Sequence, residues 1–196
     1  MKRIIAAIMT AVTVCCFYGC KAVQSTSDTI QEVKEAVETA KAEVKEELKQ
    51  ESIGPELSAD GPVVFRSTDL KGKTVTEDIF KGNKVIMVNI FASWCLPCIG
   101  EMPGIEKLYQ NYKDRGFLVL GVYPPNDEAS DVQEIVDLTK VTYPVISCDE
   151  SLQRFLSGYV PTTFFLDGDG NLLSENSIIG SKSYSDWEEI LKGYLG

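Results

Sequence analysis

Hydrophobic and polar positions divide the chain into three regimes. Behind Lys2 and Arg3, residues 4–18 are apolar except for Thr10 and Thr13. From residue 21 to 60 apolar positions are sparse, and Ile30, Val33, Val37, Ala40 and Val44 are spaced by three and four in a background of Glu, Lys, Ala and Ser with no aromatic residue. Such a stripe suits one face of a helix but makes a poor core. Beyond residue 61, short apolar runs alternate with amphipathic stretches. Runs at 63–67 and 74–76, separated by Asp69-Leu70-Lys71-Gly72-Lys73, predict a hairpin. The run 85–91, rich in β-branched residues, predicts a strand buried on both faces; 117–123 predicts another, and 143–147 a short third. Helices are expected after Cys95, over 131–140, briefly at 152–156, and over 185–195 as a closing element. Residues 162–166 and 172–179, joined by the turn Asp167-Gly168-Asp169-Gly170, predict a second hairpin. The order βαβ, then αββα, with an added N-terminal hairpin, specifies an α/β domain with a central mixed sheet flanked by helices.

The 136 residues of 61–196 are a normal size for one domain. The first 20 are too short for a comfortable span of ~20 apolar residues and read as a secretory signal. Their end, Phe17-Tyr18-Gly19-Cys20, resembles the lipobox of bacterial lipoproteins, in which the Cys becomes the lipidated first residue. Gly19 fits that pattern, whereas Phe17 and Tyr18 are bulkier than the usual residues. Residues 21–60 then form a charged, partly helical tether closed by Gly54-Pro55. Cleaved or retained, this N-terminus is expected to hold the protein at the outer face of the cytoplasmic membrane.

Chemistry concentrates in Trp94-Cys95-Leu96-Pro97-Cys98. Pro97 suits a first helical turn, since its φ is fixed and its missing N–H would be unpaired there anyway. Cys95 therefore sits at a helix N-terminus, where orphan N–H groups and the macrodipole favour a thiolate. Cys98, one turn later, is close enough to close a small disulfide ring. A zinc site is disfavoured because the chain has no His and the other cysteines, Cys15, Cys16, Cys20 and Cys148, form no second pair in the folded region. A c-type haem needs His after the second Cys, where Ile99 stands. The same helix carries Pro103, expected to kink it after its first turn. Val160-Pro161-Thr162-Thr163 opens a strand with a proline, which cannot donate to a ladder and belongs at a strand's start.

Residues 61–196 resemble the TlpA/ResA-like family of membrane-anchored, extracytoplasmic thioredoxin-like oxidoreductases. The residues that carry the resemblance are Val88-Asn89-Ile90-Phe91-Ala92-Ser93, the Trp94–Cys98 motif, Glu101, Pro103, and Val160-Pro161-Thr162-Thr163-Phe164. The resemblance implies a thioredoxin-like fold, a redox disulfide between Cys95 and Cys98, and a cis Pro161 facing it. Trp94, Val160 and Pro161 would then bind substrate, with the Val160 backbone free to pair with an incoming peptide. Thioredoxin has a buried Asp where this chain has Asn89, which cannot accept the proton that Cys98 must lose. Glu101, one turn beyond Cys98, inherits that catalytic role by resemblance, against the default of a solvated surface Glu. The implied electron donor is a membrane dithiol protein of the CcdA/DsbD type. The implied recipients are apo-cytochromes c or other disulfide-bonded envelope proteins. No cofactor and no metal are expected.

Charge narrows the field further. The first 20 residues carry +2 and residues 21–60 carry −5, leaving −7 of the total −10 on the domain, which disfavours nucleic acid. No Gly-rich phosphate loop or dinucleotide fingerprint appears. Cys148 reads as a small buried hydrophobe. Four functions stay open at this point: a reductase; an oxidant or isomerase, since the motif alone does not set the potential; a thiol peroxidase, although no Arg occurs between Arg66 and Arg115; and a tethered binding protein with a merely structural dithiol.

Overall fold

A computed structural model describes residues 26–51, 53–57 and 61–196. The signal segment and Cys20 lie outside the described residues. The chain divides into two units between residues 47 and 48. Helix α1 (Thr26–Glu51) runs through the tether, and its side chains from 31 to 46 are all exposed.

The second unit is built on a six-stranded mixed sheet. Its strands are β1 (Ile53–Glu56), β4 (Val85–Ile90), β5 (Phe117–Tyr123), β6 (Val145–Ser147), β7 (Thr162–Leu166) and β8 (Asn176–Ile179), in the order β1-β8-β7-β4-β5-β6. β4 pairs parallel with β5, and β5 with β6, while β7 runs antiparallel to β4 and β8 antiparallel to β7. All six residues of β4 and all seven of β5 are buried, as expected of central strands covered on both faces.

Alternation along β4 sorts two cores. Val85, Met87 and Phe91 join the cores of α2 (Leu96–Tyr112), α3 (Ala129–Thr139) and α5 (Tyr184–Leu195), in a cluster that also holds Cys95, Cys98 and Trp187. Ile86, Val88 and Ile90 face the other way, onto Val63, Phe65 and Phe80 and onto Leu152 of α4 (Glu150–Gln153) with its neighbour Phe155. Asn89 thus points into the helix-covered face. There α2 continues through Pro103 to Tyr112.

The N-terminal hairpin, β2 (Arg66–Thr68) and β3 (Thr74–Thr76), forms, but its first strand opens at Arg66 rather than at the expected residue 63. Asp69 closes it by accepting from the N–H groups of Lys71 and Lys73. It docks on β6: Arg66 N–H donates to Asp149 Oδ2 and Ser67 Oγ to the Ser147 carbonyl. Asp149 also caps α4, its Oδ1 accepting from Leu152 N–H.

Two further elements depart from the sequence reading. Residues 53–56, assigned to the tether, are the edge strand β1, paired antiparallel with β8. Gly54 permits that approach, because a β-carbon there would meet the Ser177 hydroxyl, and Pro55 is tolerated at an edge, where its missing N–H costs no ladder bond. The strand expected over 172–179 contracts to Asn176–Ile179, with a lone bridge between Leu166 and Leu172. Between them Ser174 Oγ accepts from Phe165 N–H at 3.1 Å, so a side chain replaces the ladder acceptor.

The turn after β7 depends on Gly168, where a β-carbon would collide with the Asn83 carbonyl oxygen. Gly168→Ala is expected to lower stability by about 1–3 kcal/mol, read as a reduced urea midpoint at unchanged m-value.

Candidate active site

Buried β4 ends at Ile90 and delivers the chain through a short turn to α2, with Cys95 as the helix N-cap. Cys98 N–H points at Cys95 Sγ, 3.2 Å away. This is one of the orphan donors of the helix N-terminus, and in the reduced protein it is offered to a Cys95 thiolate. Cys95 and Cys98 form a disulfide, with 5.3 Å between their Cα atoms. The two residues are not equivalent: Cys95 keeps 4% exposure and Cys98 none, so of the pair only Cys95 meets solvent.

Three elements frame the nucleophile. Ahead of it, Ser93 donates its main-chain N–H and its hydroxyl to Asp127 Oδ2 and Oδ1, each at 2.6 Å, which fastens the turn to the loop after β5. Beside it, Val160–Pro161 is a cis peptide, and the Val160 carbonyl oxygen lies 3.6 Å from Cys95 Sγ. Trp94 and Leu96, on either side of Cys95 in the chain, are 68% and 78% exposed.

Behind the dithiol lies a buried polar cluster. Glu101, one turn beyond Cys98, is buried rather than solvated. Its Oε1 accepts from Asn89 Nδ2 at 3.1 Å, and its Oε2 from the Lys182 main-chain N–H at 3.0 Å and from the Trp187 indole Nε1 at 3.1 Å. Asn89 also donates to Thr163 Oγ1 at 2.9 Å, across the β4–β7 pairing. Burial pushes the Glu101 carboxyl up to about 7, against the pull of these three donors and the Lys182 charge. The site therefore pairs a sheltered thiol with a sheltered carboxyl whose proton is exchangeable at neutral pH.

Cys148 stands apart. It lies in the core on the other sheet face, and burial, with Asp149 adding to it, pushes its thiol up to about 11. That is the environment of an inert packing residue.

Sequence reasoning brought Trp94, Cys95, Cys98, Glu101, Val160 and Pro161 to this region. It missed Asp127, Lys182 and Trp187. Trp187 left a faint signal as an aromatic in an amphipathic helix, since a buried indole N–H needs a partner.

The Redoxin family pattern matches residues 49–176. The chain belongs to the Redoxin family. It is 32% identical over 135 residues to the thiol-disulfide oxidoreductase ResA of Bacillus anthracis, a match spanning 67% of this chain and 72% of that one. ResA of Geobacillus kaustophilus is 32% identical over 130 residues, 65% of this chain and 72% of its own. Among solved structures, a thiol:disulfide interchange protein of the thioredoxin family from Chlorobium tepidum TLS superposes with a TM-score of 0.60 at 29% identity, over 71% of this chain and all of that one. This Redoxin family member is a thioredoxin-like oxidoreductase with Cys95–Cys98 as its redox pair.

The Glu101 carboxyl has a stability signature. Unfolded, it titrates near its ordinary 4.5; folded, near 7. Between those values the folded chain holds a proton that the unfolded chain has released, so stability falls as pH rises through this window and levels off above it. The loss from this one group is on the order of 3 kcal/mol. Urea unfolding from pH 4.5 to 8 should show that slope in the wild type and not in Glu101→Gln; parallel curves would remove the assignment.

Proposed function

We propose that this chain reduces disulfides of cell-envelope proteins, apo-cytochrome c among them, from a lipid anchor at Cys20 on the outer face of the cytoplasmic membrane. The observation that carries the chemistry is the pairing of a buried Cys98 with a buried Glu101 one turn away. The lipobox-like Phe17-Tyr18-Gly19-Cys20 and the resemblance to ResA support the setting.

The cycle follows from the geometry. The Cys95 thiolate attacks one sulfur of the substrate disulfide, forming a mixed disulfide and expelling the other sulfur as a thiolate that takes a proton from solvent. The substrate strand lies against the Val160 backbone beside cis-Pro161, with Trp94 flanking it. Cys98 passes its proton to Glu101 and attacks Cys95 Sγ. The Cys95–Cys98 disulfide forms, and the second substrate sulfur leaves as a thiolate, so two electrons pass from the dithiol to the substrate. A membrane-embedded dithiol protein of the CcdA/DsbD type then returns two electrons to Cys95–Cys98.

In the full-length chain Cys98→Ser should accumulate a mixed disulfide through Cys95 on a non-reducing gel, and the Cys95→Ser/Cys98→Ser pair should accumulate none. Glu101→Gln should slow release of the mixed disulfide at pH 7 by about 10²-fold or more. Equilibration against dithiothreitol should give a potential near about −270 mV, whereas one near about −120 mV would make the protein an oxidant.

A further inference from the structure

Glu101 is held from a distance. Its Oε2 accepts two N–H donors, both from the closing segment of the chain: Lys182 N at 3.0 Å and Trp187 Nε1 at 3.1 Å. Among the described residues its Oε1 accepts from Asn89 alone. A carboxylate offers about two lone-pair directions per oxygen. Oε2 is therefore filled and Oε1 keeps room for a proton.

The segment that makes this arrangement is rigid. Ser183 caps α5, its Oγ accepting from Asp186 N–H, and Trp187 N–H bonds to the Ser183 carbonyl at 3.0 Å. The Trp187 ring is fully buried, set edge-on to Phe165 with centroids 6.4 Å apart. A buried indole N–H is most cheaply satisfied by a main-chain carbonyl; here it is spent on a carboxyl 86 positions away in sequence, on the helix that carries the dithiol.

We propose that Trp187 is a positioning residue for the redox chemistry, its indole N–H occupying Oε2 of Glu101 so that the proton from Cys98 is taken up on Oε1. The inference rests on the reading of Glu101 as the group that deprotonates Cys98. It assigns to α5 control over the pH at which the second thiol can attack. The groups facing Glu101 are Asn89 from β4 with Thr163 of β7 behind it, Lys182 and Trp187 from the α5 end, and Tyr143 from the loop before β6; Cys98 lies three positions before it on its own helix. A substitution at Trp187 alters none of these other side chains, and in the oxidised chain Cys98 is held in the disulfide and carries no thiol.

The test uses the full-length chain with ¹³C-labelled Glu carboxyls. The Glu101 resonance is identified by its loss in Glu101→Gln and titrated in the oxidised wild type and in Trp187→Phe. Loss of one N–H donor disfavours the carboxylate, so the midpoint should rise by about one pH unit, a tenfold change in proton affinity. The pH profile for release of a Cys95 mixed disulfide should rise with it. Benzothienylalanine in place of both indoles, compared with Trp94→Phe, repeats the test with a side chain of the same shape and no N–H, and carries it if Trp187→Phe does not fold. An unmoved Glu101 midpoint in both would overturn the proposal and leave Trp187 as core packing. A midpoint that moves while the release profile stays would uphold the Trp187–Glu101 linkage and overturn Glu101 as the base for Cys98.

Discussion

A thiol with no contact to water must shed a proton before it can act, and that constraint organises the site. Cys98, in the first turn of α2, is wholly buried. In an interior of low dielectric a lone thiolate is costly, and a proton cannot simply escape to solvent. The fold places a carboxyl within the same dry layer, one helical turn along. Fixing that carboxyl takes four elements: β4 through Asn89, β7 through Thr163, α2 through Glu101 itself and α5 through Trp187. The sheet order, with β4 paired to β7, is what sets Asn89 opposite Thr163 while it reaches Glu101.

The balance at Glu101 is made by opposing terms. Burial raises the group, and three donors and the Lys182 charge pull against it, leaving it at about 7. At that value it is a useful base at neutral pH, whereas an ordinary carboxyl at 4.5 holds a proton too weakly to help a thiol. Asn89 matters here as a donor. A carboxylate at position 89 would put two negative charges within about 3 Å of each other and force one to stay protonated. The amide at position 89 and the buried carboxyl at position 101 are therefore complementary as donor and acceptor.

What was legible from the sequence follows from range. The buried strand over 85–90, the helix opened by Cys95 and Pro97, and the dithiol are local patterns, and all three stand where the apolar run and the capping rules put them. The cis bond before Pro161 came through resemblance, since no local rule demands it. The edge strand 53–56 has four residues, a Gly, a Pro and no alternation; only its partner β8 makes it a strand. The burial of Glu101 was undecidable from residues 95–103, because α5, more than 80 positions later, is what covers it. Asp127 was missed for the same reason, its bond to Ser93 spanning 34 positions.

Access to the nucleophile limits what the enzyme can take. Ser93 is tied down by Asp127 on one side, and Val160–Pro161 closes on the other, so the turn bearing Cys95 has little freedom to advance toward a substrate. Only 4% of Cys95 is exposed, while Trp94, Leu96 and Tyr159 stand out around it at 65–78%. The approach to the sulfur is therefore narrow: a reacting group must come in past Trp94, Leu96 and Tyr159, beside the Val160 carbonyl that lies 3.6 Å from Cys95 Sγ.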